Sequence, residues 1–348
     1  MGGSEAVDVL IVSLGSTGGL RAADAELQGS LVRAGASVAV AAPRAPRPLR
    51  TLALTDLSWA NAARGSARAE LEGRAVGAVI YSSTTAALLW PRPGAIRFDA
   101  PSSGNRPGRH GLWQRPLERR RLGQAPLLLP WSREGLAEAP AAAGGGDRAL
   151  VLPVPVEPSA PPSHDDGAPA RDIAAITYAA NPSKKGLDRV LSAWRRLRTE
   201  RRSSGSEELV VAGATEQELR RAGIVADGEQ GVRVVGVLGA EEYRALLRRA
   251  RVFVCAPRRE DYGLAQLEAL ADGCLLVTTA APGPYVALPI ARALDPRLVG
   301  DDLERALRAA MDDPVSDYAA GAREALLPFS RAAVDRQVAQ ELLPRLLS

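Results

Sequence analysis

Short apolar runs rich in β-branched residues recur along this chain, each followed by a longer stretch of helical period, and the series starts twice. DVLIVS, SVAVAAP, AVGAVIYSS, AIRFDAP, APLLLP and ALVLPVPV make up the first series; DIAAITYAA, ELVVAG, VRVVGV, RVFVCAP and CLLVTT make up the second. Strands that are apolar throughout are buried on both faces, which suits a parallel sheet covered by helices. Strand, helix, strand repeated in this way predicts an α/β protein with two doubly wound, Rossmann-like parallel sheets. The series break at 153–172, PVPVEPSAPPSHDDGAPARD, where Pro, Ser, Gly and Asp displace any period. We therefore expect a first domain over 1–155, a Pro-rich linker over 156–171, a second domain over 172–330, and a C-terminal helix over 331–348 packing back on the first.

Composition narrows the function classes. At 348 residues, 46% hydrophobic and 24% charged, the chain has ample material for two cores. Its cations are almost all arginine, a bias typical of GC-rich bacterial genomes. The net charge of +4 is modest, so the basic pI near 9.4 does not call for a nucleic-acid partner. No run approaches the roughly 20 apolar residues that span a bilayer, and the start lacks the pattern of a signal peptide. A cytoplasmic protein is expected. The basic runs RPLERRRLG (115–123) and RRLRTERR (195–202) read first as solvated helix faces, with peripheral contact to the inner membrane face kept as an alternative. Cys255 and Cys274 lie in strand-like runs and are expected to be buried. With two cysteines and two histidines, His110 and His164, no zinc-type cluster can be assembled, so chemistry without a metal or other cofactor is expected.

Only two of the 44 basic residues counted as Lys plus Arg are lysine, and both stand together in AANPSKKGLDRVLSAW as Lys184 and Lys185. This loop follows the first strand of the second series and leads into a helix, where ligands of open α/β sheets bind. An ammonium there adds a compact, mobile charge to the anion-attracting end of a helix. The corresponding loop of the first series, LGSTGGLRAADAEL, brings Gly15, Gly18 and Gly19 to a helix start, without the GxGxxG spacing.

A further signal follows RVFVCAP, in RREDYGLAQLEALADGCLLVTT (258–279). Glu260 and Glu268 are eight residues apart, about 12 Å along a continuous helix. A loop at Asp261, Tyr262 and Gly263 instead allows both to converge on the following helix N-terminus. The amides of Gly263, Leu264 and Ala265 would then face a diphosphate, with a carboxylate on either side to accept hydroxyl hydrogen bonds.

EDYGLAQLEALADGCLLVTT resembles the E-x7-E signature of retaining GT-B glycosyltransferases of the family 4 type. KKGLDRVLSAW and VRVVGVLGAEEYRALLRRARVFVCAP resemble the segments that accompany that signature, and AVIYSSTTAALL, IRFDAP and LVLPVPVEP resemble family strand ends. The resemblance implies a GT-B fold with two Rossmann-like domains facing a cleft. It implies transfer of a sugar from a nucleoside-diphosphate sugar, without metal and with retention, to an acceptor hydroxyl in glycan, glycolipid or natural-product synthesis. By the resemblance Glu260, Lys185 and His110 would take the catalytic positions. Glu268 would bind the ribose; Lys184, Asn181, Gly263 and Leu264 would surround the diphosphate, with Gly18 and Gly19 closing over it. Asp99 is a further candidate beside the reacting sugar.

Two positions depart from the family pattern: Ala180 stands where an arginine is usual, five residues before Lys185, and Leu275 where a proline follows Gly273. The first motivates an alternative reading, a nucleotide-sugar-binding protein without transfer. A GT-B epimerase is another. The acceptor, the donor base and the donor sugar are left open.

Overall fold

The structure is a computed structural model that describes residues 6–47, 49–106, 108–140, 146–160, 171–201, 207–226 and 228–348, apart from the side chains of residues 109, 110, 146 and 201. The chain divides into two compact units, Met1–Pro155 with Phe329–Ser348, and Val156–Pro328. Most of the linker expected over 156–171 lies outside the described residues. Among the described residues, no helix is long and apolar enough to cross a membrane.

In the first unit the chain runs β1 (Val7–Val12), α1 (Gly18–Arg33), β2 (Val38–Ala41), α2 (Leu52–Gly73), β3 (Val76–Tyr81), α3 (Thr84–Ala87), β4 (Ala95–Phe98), α4 (Ser102–Asn105), α5 (Gln114–Gln124), β5 (Leu128–Pro130) and α6 (Arg133–Ala137). All strand pairs are parallel, in the order β2-β1-β3-β4-β5. Val9 and Ile11 turn to one face and Leu10 and Val12 to the other, and both faces are buried. That is why the strand sequences alternate in direction but not in polarity.

The second unit runs β6 (Ile173–Tyr178), α7 (Pro182–Lys185), α8 (Leu187–Arg201), β7 (Leu209–Ala212), α9 (Glu216–Arg221), β8 (Val232–Gly236), α10 (Ala240–Arg249), β9 (Ala250–Cys255), α11 (Leu264–Ala271), β10 (Leu275–Thr278), α12 (Ala287–Leu294), α13 (Leu303–Asp312) and α14 (Tyr318–Ala325). Its parallel sheet has the order β10-β9-β6-β7-β8. In each sheet the strand order reverses beside the first strand, at β1/β3 and at β6/β9. Such a switch point leaves a crevice at the strand carboxyl ends.

The chain ends in α15 (Arg331–Gln337), a π turn (Val338–Leu342) and α16 (Leu343–Leu347). Val334, Val338 and Leu342 join Val9, Ile11, Leu27 and Leu31 in the core of the first unit. Arg33 with Asp335 (2.6 Å) and Arg331 with Glu26 (2.8 Å) pin the segment to α1. Pro344 has no N–H and stands in the first turn of α16, just after the π turn.

One expected strand is not formed. In ALVLPVPV only Ala149 makes a bridge, to Leu128, while the amides of Leu150 and Leu152 donate to Leu128 and Pro130. The partner strand β5 ends at Pro130, so the ladder stops there, and Pro153 and Pro155, at the alternate positions, have no amide hydrogen to offer on the other edge. The segment stays extended, and Leu150, Leu152, Val154 and Val156 are buried.

Candidate functional site

The loops after β6 and β9 meet at the switch point of the second unit. After β6, Asn181 caps α7 by accepting the Lys184 amide (3.0 Å), Pro182 occupies the first turn, and Gly186 ends the helix at φ +65°. This is the sequence logic of a one-turn helix: a side-chain acceptor, a ring pre-set for helical φ, and a left-handed stop. Gly186 is also required sterically, since a Cβ there would lie 1.9 Å from the Ala256 carbonyl oxygen. The close approach joins the two loops, and the Arg258 amide bonds the Lys184 carbonyl (2.9 Å).

α7 thereby presents both lysines to the loop after β9. Lys185 Nζ lies 2.7 Å from Glu260 Oε2, and Lys184 Nζ lies 2.8 Å from Asp261 Oδ2. Both carboxylates are buried, while the two ammonium groups are partly open. Arg259 adds a third cation, 2.7 Å from Asp261 Oδ1. Burial alone would raise the Asp261 carboxyl; the charges and hydrogen bonds of Lys184 and Arg259 outweigh it and hold the group below the usual carboxylate range. The Glu260 amide donates to Pro282 (3.0 Å) and Tyr262 O accepts from Val286 (3.0 Å), so the 282–286 segment fixes the loop that carries both acids.

Gly263 follows, at φ +94°, and opens α11 with no side-chain cap. Leu267 is the first residue whose amide bonds within the helix, to Gly263, which leaves the earlier amides pointing outward. A Cβ at Gly263 would meet the Tyr285 ring at 2.9 Å, so the bare backbone is what lets the ring pack beneath the helix start. Tyr285 OH lies 2.8 Å from Thr278 Oγ1, and the buried Cys255 thiol donates to Thr278 Oγ1 (3.2 Å). Burial pushes the thiol's pKa up, so it is a neutral packing group.

Gln266, in the first turn of α11, was not anticipated from the sequence. Its Nε2 donates to Glu260 Oε2 (3.0 Å), the same oxygen that takes Lys185, and the side chain is buried. Glu260 is thus held from both sides.

Glu268 lies two residues further along α11 and has a different set of neighbours. Arg244 Nη1 of α10 approaches its Oε1 at 3.9 Å, while Arg244 is itself bound by Asp272 (2.6 Å) and the Glu157 carbonyl (2.7 Å). Burial raises the Glu268 pKa to about 7, opposed by the Arg244 charge and assisted by that of Asp272. The buried Tyr243 hydroxyl is without a hydrogen-bond partner among the described residues, and its ring lies 5.2 Å from that of Tyr178 at the end of β6. Arg244, Asp272 and Tyr243 carried no sequence signal.

The remaining candidates lie in the first unit. Gly18 and Gly19 open α1 behind the Thr17 cap. Asp99 accepts the Ala100 amide (2.7 Å) at the end of β4. His110 falls on a 3-10 turn, Gly108–Gly111, and its side chain lies outside the described residues. Among the described residues no three His, Cys, Asp or Glu side chains gather as a metal site.

Residues 171–314 match the family model described as Glycosyl transferases group 1. No curated protein matches the chain. Among solved structures it is similar to the sucrose-phosphate synthase of Thermosynechococcus elongatus, with 15% identity, a TM-score of 0.72, and 95% of this chain and 97% of that one covered. It is similar to WaaG, a glycosyltransferase involved in lipopolysaccharide biosynthesis, at 16% identity, TM-score 0.65 and 97% of both chains. Anabaena HepE, solved in complex with UDP and glucose, aligns at 13% identity and TM-score 0.62 over 97% of this chain and 99% of that one. At these identities the likeness is one of fold, and the fold is GT-B.

Proposed function

We propose that the chain is a GT-B glycosyltransferase of group 1 that moves a sugar from a nucleoside diphosphate to an acceptor hydroxyl, with retention and without a metal. The family match over the second unit and the solved neighbours support the glycosyltransferase assignment. The observation that carries the chemistry is the meeting of Lys185 with Glu260 at the switch point, beside the uncapped start of α11.

In this reading the bond from the anomeric carbon to the diphosphate oxygen breaks, and negative charge grows on the leaving group. Lys185 and the first amides of α11 take up that charge, an electrostatic stabilisation of the oxyanion-hole kind. Lys184 stands in for the arginine replaced by Ala180. Asp261 and Arg259 hold Lys184 in place, and Arg259 keeps the cluster cationic. Glu260 lies against the donor sugar and orients it. The acceptor oxygen attacks from the face that the diphosphate leaves, and the diphosphate takes its proton. Glu268, steadied by Arg244, accepts the ribose hydroxyls.

A panel of nucleoside-diphosphate sugars tests this by chromatographic detection of free nucleoside diphosphate, with and without sugar acceptors. Release of the diphosphate and transfer of the sugar are expected for at least one donor. Binding of a donor with no release under any condition supports the non-transferring alternative. Conversion of the donor sugar without an acceptor supports an epimerase.

A further inference from the structure

Four of the ten exposed large apolar side chains among the described residues fall within nine residues, at Leu49, Leu52, Leu54 and Leu57. They are 40–54% exposed, at the mouth and first turns of α2. The buried residues of α2, Asp56, Ala60, Ala63 and Ala67, face the core. At 100° per residue Leu54 points away from that buried face, while Leu57 and Arg64 lie along one flank of the helix, followed by Arg68, which pairs with Glu72.

The arrangement is preformed. Thr51 caps α2 by accepting the Leu54 amide (3.2 Å), and the Thr55 hydroxyl accepts the Leu49 amide (3.2 Å), folding Leu49 over the helix start.

The charge beside these leucines is of one sign. Arg44, Arg47 and Arg50 are exposed and form no ion pair among the described residues. Asp56 is the only acid in 44–68, and it is buried under Arg106, 2.7 Å away. In the basic runs singled out in the sequence, Arg119 and Arg120 are also exposed, but four other arginines are engaged within the fold. Arg115 donates to the Gly108 and Gly111 carbonyls, and Arg121 lies 4.9 Å over the Trp90 ring. Arg195 and Arg196 pair with Glu229 and Glu304.

We propose that the 44–57 segment docks on the surface of an anionic lipid bilayer, leucines entering the boundary of the acyl layer and arginines pairing with headgroup phosphates. Both halves of the surface are needed: apolar side chains supply depth, and unpaired cations supply attraction to anionic lipid. A nucleic acid would leave the leucines in water. The inference rests on the first unit alone and stands whether or not the glycosyltransferase reading holds.

Co-sedimentation of the full chain with vesicles of phosphatidylglycerol in phosphatidylcholine, and with vesicles of phosphatidylcholine alone, tests it. The chain is expected to pellet with the anionic vesicles and to remain in solution with the neutral ones. Arg47→Gln with Arg50→Gln is expected to lower the partition coefficient on the order of 30-fold, at about 1 kcal/mol per cation. Leu54→Ser with Leu57→Ser is expected to lower it roughly tenfold. Unchanged circular-dichroism melting shows that the variants fold. Failure of the wild type to pellet with anionic vesicles overturns the proposal, as does equal partitioning of both double variants. A dimer in sedimentation velocity that the leucine variant converts to monomer, with vesicle partitioning unchanged, assigns the face to a second copy instead.

Discussion

Lys185 Nζ and Glu260 Oε2, 75 residues apart in sequence, stand 2.7 Å apart at the carboxyl ends of β6 and β9. The contact depends on two backbone features. Gly186 lets the loops approach, and the 282–286 segment fixes Glu260 in depth. In the proposed reading an incoming diphosphate would draw on the same ammonium as Glu260, so donor binding would exchange one anionic partner of Lys185 for another.

Gln266 is the second support of Glu260. Replacing it with leucine removes the 3.0 Å hydrogen bond while keeping an apolar side chain of similar size. The account expects turnover to fall roughly tenfold, with the dissociation constant for free nucleoside diphosphate changed little, because Gln266 touches the acid and not the cations. Calorimetric binding and initial-rate kinetics on the same variant separate the two. Equal losses in both would place Gln266 on the diphosphate itself.

The two glycines of the site fail differently. Gly186→Ala puts a Cβ 1.9 Å from a carbonyl oxygen at φ +65°, and is expected to destabilise the chain by roughly 2–4 kcal/mol, seen as a lower thermal midpoint. Gly263→Ala meets a ring edge at 2.9 Å, which can yield. Its expected effect is a smaller drop in stability, with weaker diphosphate binding as the start of α11 shifts.

Glu268 makes stability depend on pH in a definite direction. Its folded pKa, near 7, lies above the ordinary glutamate value, so the folded chain holds a proton that the unfolded chain has released. That contribution is complete below about pH 4.5 and is lost as pH rises through 7, by at most on the order of 3 kcal/mol. Glu268→Gln removes this slope: urea unfolding at pH 5 and pH 8 should show a smaller loss toward high pH than in the wild type. An unchanged slope would mean that Glu268 ionises normally.

Much of this was legible in the sequence because it is carried by period and spacing. Ten of the eleven apolar runs are strands, and the strand-to-helix loops that hold Lys185, Glu260 and Gly263 follow from them. Pro153 and Pro155 carried the sign that ALVLPVPV would not be an interior strand, since neither can donate to a further strand on that edge. Gln266, Arg244 and Asp272 were not legible. Gln266 and Arg244 are ordinary helix residues and Asp272 caps the end of α11, and their roles arise only when these elements are set against their neighbours. The arginine runs show the same limit: whether a guanidinium stacks on Trp90, pairs with Glu229 or stays open is a matter of tertiary distance, which composition does not encode.

Titration calorimetry of nucleoside diphosphates against the wild type, Lys185→Ala and Lys185→Arg tests the central claim most directly. The account predicts that the wild type binds at least one of them and that Lys185→Ala weakens this on the order of 100-fold, with Lys185→Arg recovering only part of the loss, since a planar guanidinium cannot follow the ammonium's geometry. Equal affinity in wild type and Lys185→Ala would contradict it.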